Sequence, residues 1–349
     1  MKVPGLLSAI VLASAMMPHA VRADEAVGVR QIVVPSKERG IDLDATAWYP
    51  AQPGGKPAVL GESVFFVGTP AMRDAPIAKG KFPLILLSHG AGLAGNPEAL
   101  SWIATPLAQQ GFVVVGPTHP GNSGKNRSAL ETVKIWQRPD DLSETLDTVQ
   151  KDAFFREHLD PAKIGVLGLS MGGGTALGVA GARIDPERLA SYCDTDARNA
   201  SLCGWIRQSG VDLHAIDMSS AGRDNEDKRI RFALAIDPAP VDAFDPRSFS
   251  RISIPVELIN LGEPRHIPVT TDASGIAKAV PGANYATISD ASHYSMFAEC
   301  KTGAAELAES EQIGDPICSD GGGQSRHEIH RQLIDMTTAA FSRALKTGP

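Results

Sequence analysis

The residue around which chemistry could be built is Ser170, in the stretch KIGVLGLSMGGGTALGVAGA. It stands between Gly168 and Gly172 in a G-x-S-x-G pattern, where an apolar run meets a segment of small residues. That placement fits a nucleophile mounted on a sharp strand-to-helix turn, with the glycines clearing space where the backbones crowd. A phosphate-binding loop would need a Lys and a Ser/Thr after the glycines, or G-x-G-x-x-G spacing, and neither is present. A glycine-rich packing turn is the other ordinary meaning of such a stretch.

A serine hydroxyl is a weak nucleophile, so it requires a base and donors for a developing oxyanion. His293, in ISDASHYSMF, follows the last apolar run of strand type, where a loop can return an imidazole to the serine. His119 follows FVVVGPT, His327 and His330 fall in a terminal helical pattern, and His19 lies near the start of the chain, so these are less well placed. A carboxylate must orient the imidazole, fix its tautomer and stabilise the imidazolium. Asp237, at the end of RFALAID, and Glu263, in LGEPRHIPV, both preserve the chain order serine, acid, histidine. Asp290 shares the loop of His293 and is read as pointing elsewhere. For the oxyanion, the backbone N–H of Met171 follows the nucleophile, and Ala91, in LLSHGAG, supplies a second N–H. His89 is assigned a structural role in that turn.

The elements that would position these residues follow from the hydrophobic pattern. VGVRQIVV and IDLDATAWYP alternate as two antiparallel edge strands would, and SVFFVG is the one strand candidate in the Pro- and Gly-rich stretch from Pro50 to Pro83. PLILLS, FVVVGPT, KIGVLGLS, RFALAID, PVELINL and YATIS are nearly continuous apolar runs, as expected of parallel strands covered on both faces. Helix-length segments separate them, which predicts an α/β fold with a mostly parallel central sheet and helices on both faces. The polar segment from Asp185 to Arg229 interrupts the alternation and reads as a cap-like insertion over the C-terminal edge of the sheet. The loop after SHGAG, the segment from His119 to Pro139, this insertion and the surroundings of Tyr294 would form the pocket, with Trp136 and Trp205 in reach of it.

Bulk properties narrow the partners. The 349 residues carry a formal net charge of −7, which disfavours nucleic acid as a partner because counterion displacement needs a basic surface. Lys2, the apolar run GLLSAIVLASAMM and the small-residue end at Ala23 read as a signal peptide over residues 1–23, with one domain over 24–349 and an exported, periplasmic or secreted, destination. The apolar run is shorter than a membrane span requires, so no stable membrane anchor is expected. In an oxidising compartment the four cysteines would form two disulfides. Three pairings are possible, and proximity favours Cys193 with Cys203 and Cys300 with Cys318. No C-x-x-C pair or histidine cluster of ligand spacing accompanies them, so no metal is expected.

Taken together, PLILLSHGAG, GLSMGGG, FALAIDPAP, PVELINLGEPRHIP and ISDASHYSMF resemble the α/β-hydrolase superfamily, from about Phe82 to Phe297. The likeness is to the branch containing platelet-activating-factor acetylhydrolases and dienelactone hydrolase-like proteins, and GLSMGGGTAL is also similar to the nucleophile motif of cutinases and polyester hydrolases. Dienelactone hydrolases carry cysteine where this chain has Ser170. The resemblance implies a serine carboxylic-ester hydrolase acting on short-chain or compact, small-molecule esters, and no cofactor is implied because backbone donors alone can hold the oxyanion charge. In the acetylhydrolase branch the acid follows the strand of FALAID, which favours Asp237 over Glu263. Polyester or aromatic-ester hydrolysis, and a non-catalytic binding protein on the same fold, are the alternatives.

Overall fold

The computed structural model of the chain describes residues 26–122 and 126–347, so the expected signal peptide lies outside the described residues. Ten strands form one sheet: β1 (Val27–Ser36), β2 (Ile41–Pro50), β3 (Lys56–Leu60), β4 (Thr69–Arg73), β5 (Phe82–Ser88), β6 (Val113–Pro117), β7 (Leu159–Leu169), β8 (Phe232–Ile236), β9 (Val256–Leu261) and β10 (Asn284–Ile288). Their order is β10-β9-β8-β7-β5-β6-β2-β1-β4-β3. The six strands from β10 to β6 pair in parallel, and β2 joins β6 antiparallel.

The apolar runs become the interior strands because both of their faces are covered. Leu84, Leu86, Val113, Val115 and Val166 point into one core, while Ile85, Leu87, Val114, Leu167 and Leu169 point into the other. Helices α3 (Arg138–Lys151) and α4 (Met171–Val179) pack together on the first side, and α1 (Ser101–Gln109) and α9 (Arg326–Phe341) on the second. The remaining helices are α2 (Ala129–Val133), α5 (Pro186–Ala190), α6 (Ala200–Gln208), α7 (Ser274–Ala279) and α8 (Ala304–Ser310). Residues 185–229 hold α5, α6 and a 3₁₀ turn at Leu213–Ala215. They contact α2, which follows β6, and the turn Val241–Ala243, which follows β8, so they lie over the C-terminal ends of the parallel strands.

Two sequence expectations are corrected. SVFFVG is not a strand: the Ser63 hydroxyl accepts from the Phe65 and Phe66 N–H groups, forming a turn that buries both aromatic rings. The strands flank it instead, as the β3–β4 hairpin. That hairpin in turn displaces β1 and β2 from the edge, since β4 pairs in parallel with β1. The edge strand at this end of the sheet is β3, where Lys56 and Pro57 discourage further strand pairing.

Cys193 pairs with Cys203 and Cys300 with Cys318, as their proximity in sequence favoured. The first pair ties α6 to the chain just before it. The second ties the loop carrying Asp315, Ser319 and Asp320 to the segment after β10. Among the described residues no helix is long and apolar enough to cross a membrane.

Candidate active site

Three strand ends converge on one point above the sheet. At the end of β7, Ser170 adopts φ 55° and ψ −123°, a left-handed conformation that costs a non-glycine residue energy, and α4 starts immediately after it. Gly168 and Gly172 permit the turn: a Cβ on Gly168 would stand 1.9 Å from the Gly172 carbonyl oxygen, and one on Gly172 would stand 1.9 Å from that of Ser88. The turn is tied to β8, because the Ser170 N–H donates to the Ile236 carbonyl at 3.0 Å and the Ser170 carbonyl accepts from the Ala239 N–H at 2.9 Å.

Asp237 follows β8 and is 1% exposed. Its Oδ1 accepts from Asn260 Nδ2 and from the Leu261 N–H, both at 2.7 Å. Its Oδ2 faces His293 Nδ1 at 3.0 Å, and His293 Nε2 lies 3.1 Å from Ser170 Oγ. The carboxylate accepts only, so Nδ1 carries the proton, Nε2 offers its lone pair, and the serine hydroxyl donates to it. Ser170, Asp237 and His293 thus form one continuous chain of hydrogen bonds. Glu263 is exposed on the loop after β9, and Asp290 is also exposed, with its carboxyl against Gly323.

His293 opens a 3₁₀ turn, His293–Met296, closed by a capping box between Ser292 and Ser295. Three side chains bind this turn to the loop of the second disulfide: Ser292 Oγ donates to the Ser319 carbonyl, Ser295 Oγ to Asp320, and the Tyr294 hydroxyl to Asp315. Asp315 also accepts from Ser201 on α6, so the insertion and the histidine turn share an anchor.

From below, Trp102 on α1 donates its indole N–H to the Met296 carbonyl at 3.0 Å, and His330 on α9 donates Nε2–H to that of Ser295 at 2.9 Å. The two rings stack with centroids 3.7 Å apart. Burial pushes His330 from an ordinary 6.5 down to about 4, against the opposing pull of the Ser295 carbonyl. Because the folded value lies below the unfolded one, the stabilisation is complete above pH 6.5 and is lost as pH falls toward 4. It amounts to about 3 kcal/mol. Melting temperatures are therefore expected to drop across that window, and less steeply for His330→Gln, which cannot take up the proton.

Met171 and Ala91 belong to segments adjoining Ser170. Met171 is the first residue of α4, so its N–H has no partner within the helix. Ala91 follows Gly90, on which a Cβ would come 3.4 Å from Ser170 Cβ. The His89 ring is fully buried and sits 2.8 Å from the Gly90 carbonyl through Nδ1. Since the His119 N–H donates to His89 Nε2 at 3.0 Å, the proton of His89 must lie on Nδ1 and be donated to Gly90. A trans peptide directs its N–H opposite to its C=O, so holding the Gly90 carbonyl also sets the direction of the Ala91 N–H.

A narrow, mostly apolar cleft borders the site, with Met171, Ala239, Trp136, Ile135, Phe244 and Ile184 in its walls. Trp205 lies apart from it, in an open groove where the Arg127 guanidinium covers its ring at 4.8 Å. Asn260, which anchors Asp237, is a site residue beyond those expected from the sequence, and its signal there is a polar residue inside the apolar run VELINL.

The α/β-hydrolase family model matches residues 84–308, more than half of the chain. Among solved structures, a ferulic acid esterase from Streptomyces cinnamoneus aligns with a TM-score of 0.64 at 18% identity, over 95% of this chain and 92% of its own. A dienelactone hydrolase from Anabaena variabilis aligns with a TM-score of 0.50 at 16% identity, over 90% of this chain and 97% of its own. At these identities the likeness is one of fold. With strand order, nucleophile-type turn and family match in agreement, the chain belongs to the α/β-hydrolase family.

Proposed function

We propose that this protein is a serine carboxylic-ester hydrolase. The observation that carries the reading is the unbroken hydrogen-bond chain Ser170–His293–Asp237. Ser170 Oγ attacks the ester carbonyl carbon as its proton passes to His293 Nε2. The carbonyl oxygen gains the negative charge and accepts from the Met171 and Ala91 N–H groups. Collapse breaks the bond to the alcohol, which leaves with the proton from His293, and an acyl group remains on Ser170. Water then attacks this ester, giving its proton to His293. Serine departs, the proton returns to Oγ, and the acid is released. Asp237 keeps the imidazole in the required tautomer throughout.

The narrow apolar cleft beside Met171 and Ala239 favours compact acyl groups. The insertion over residues 185–229 forms one wall of a single hydrolase domain, and the two disulfides support an exported enzyme. Diisopropyl fluorophosphonate is expected to label the folded protein once, at Ser170. A folded protein that stays unlabelled there would overturn the mechanism. A p-nitrophenyl ester series is expected to lose activity as the acyl chain lengthens. Activity on a polyester film at a rate similar to that on p-nitrophenyl acetate would instead favour the cutinase-like reading.

A further inference from the structure

Beneath the loop from Ser88 to Ala91 lies a second serine–histidine–carboxylate chain, sealed from solvent. Ser88 Oγ is 2.9 Å from His119 Nε2, and His119 Nδ1 is 2.8 Å from Asp141 Oδ2. Ser88, His119 and Asp141 are all 0% exposed, so no substrate reaches this serine. Arg39, from the turn between β1 and β2, clamps the carboxylate through two bonds, Nε to Oδ1 at 2.9 Å and one terminal nitrogen to Oδ2 at 2.8 Å. Both oxygens accept from this fork, so Asp141 is ionised, His119 carries its proton on Nδ1, and Ser88 donates to Nε2.

The chain converges on the loop that supplies the Ala91 N–H. Ser88 is fixed through its hydroxyl, the His89 carbonyl accepts from the buried Arg138, and the His89 ring is fixed by the His119 N–H and in turn holds the Gly90 carbonyl. The loop is also packed against the other donor, since the Ser88 carbonyl sits directly on Gly172, one residue after Met171. Building this from buried charge is costly unless each group is paired in a set geometry, and that geometry fixes orientation.

We propose that His119 and Asp141 are positioning residues for the reaction assigned to Ser170: through Ser88 and His89 they aim the Ala91 N–H at the oxygen of the substrate carbonyl. The proposal rests on the esterase reading. An oxyanion donor acts in the transition state, so loosening it lowers kcat and kcat/KM together and leaves KM nearly unchanged.

The test is p-nitrophenyl acetate turnover per active site, with sites counted from the burst of p-nitrophenol, for wild type, Ser88→Ala, Ser88→Thr and His119→Asn. His119→Asn keeps a donor toward Asp141 and loses the acceptor for Ser88. Ser88→Ala is expected to lower kcat per titrated site about tenfold and His119→Asn up to about a hundredfold, with KM within about twofold of wild type. Ser88→Thr, which restores the hydroxyl, is expected to recover most of the loss. Unchanged kcat per titrated site, or activity lost only in proportion to titratable sites, would overturn the proposal. If His119→Asn does not fold, Ser88→Ala decides alone. A wild-type protein with no burst and no label on Ser170 would bring down the esterase reading and this proposal with it.

Discussion

Ser170→Ala is expected to cut p-nitrophenyl acetate turnover about a millionfold while leaving the melting temperature nearly unchanged. The Oγ is the atom that forms the acyl bond in the proposed mechanism, and alanine has nothing to put in its place. The two N–H groups of Met171 and Ala91 remain, so a rate about a thousandfold above that in water is expected to persist. The measurement is steady-state turnover on the purified variant, with loss of fluorophosphonate labelling as the companion readout. A variant that kept a tenth of wild-type activity would remove Ser170 from the chemistry. A variant that kept ligand binding and biological effect, in a protein without esterase turnover, would point to the non-catalytic alternative.

Replacing the acid is expected to cost about ten thousandfold in kcat for Asp237→Asn, and Glu263→Gln is expected to change it less than about twofold. The reason lies in the bonding of Asp237. Two donors, the Asn260 amide and the Leu261 N–H, converge on Oδ1, so an asparagine must keep its oxygen on that side. Its NH₂ then faces His293 Nδ1 and forces the imidazole proton onto Nε2, where it points at Ser170 and leaves no base. The defect is one of tautomer, so rate falls while the fold and the fluorophosphonate-accessible serine persist, with labelling slowed in proportion. Glu263 stands exposed on the next loop and has no such role to lose. A larger effect from Glu263→Gln than from Asp237→Asn would reverse the assignment.

The legible part of this molecule was local. Ser170 could be picked out because strand, turn and small-residue helix are consecutive in the chain, and the apolar runs of β5 to β9 mark strands covered on both faces. The choice between Asp237 and Glu263 was not legible from spacing, since both follow strands and both precede His293. The close approach of Asp237 to the histidine is a property of the β7-β8-β9 order. The Ser88–His119–Asp141 chain was hidden for the same reason. Its members come from a strand end, a loop and a helix, and each alone resembles an ordinary residue of its element. The SVFFVG stretch misled because apolar content marks burial, and burial there is achieved by a turn whose N–H groups are taken by Ser63.

The backbone at Ser170 is held in a conformation unusual for serine. Its φ of 55° and ψ of −123° belong to a region that glycine enters freely and other residues enter at a cost of about 1–3 kcal/mol. Stability and reactivity therefore rank the amino acids at this position in opposite orders. A programme of stabilising substitution guided by melting temperature alone would choose glycine at position 170, and would obtain a sturdier protein from which the nucleophile had been removed.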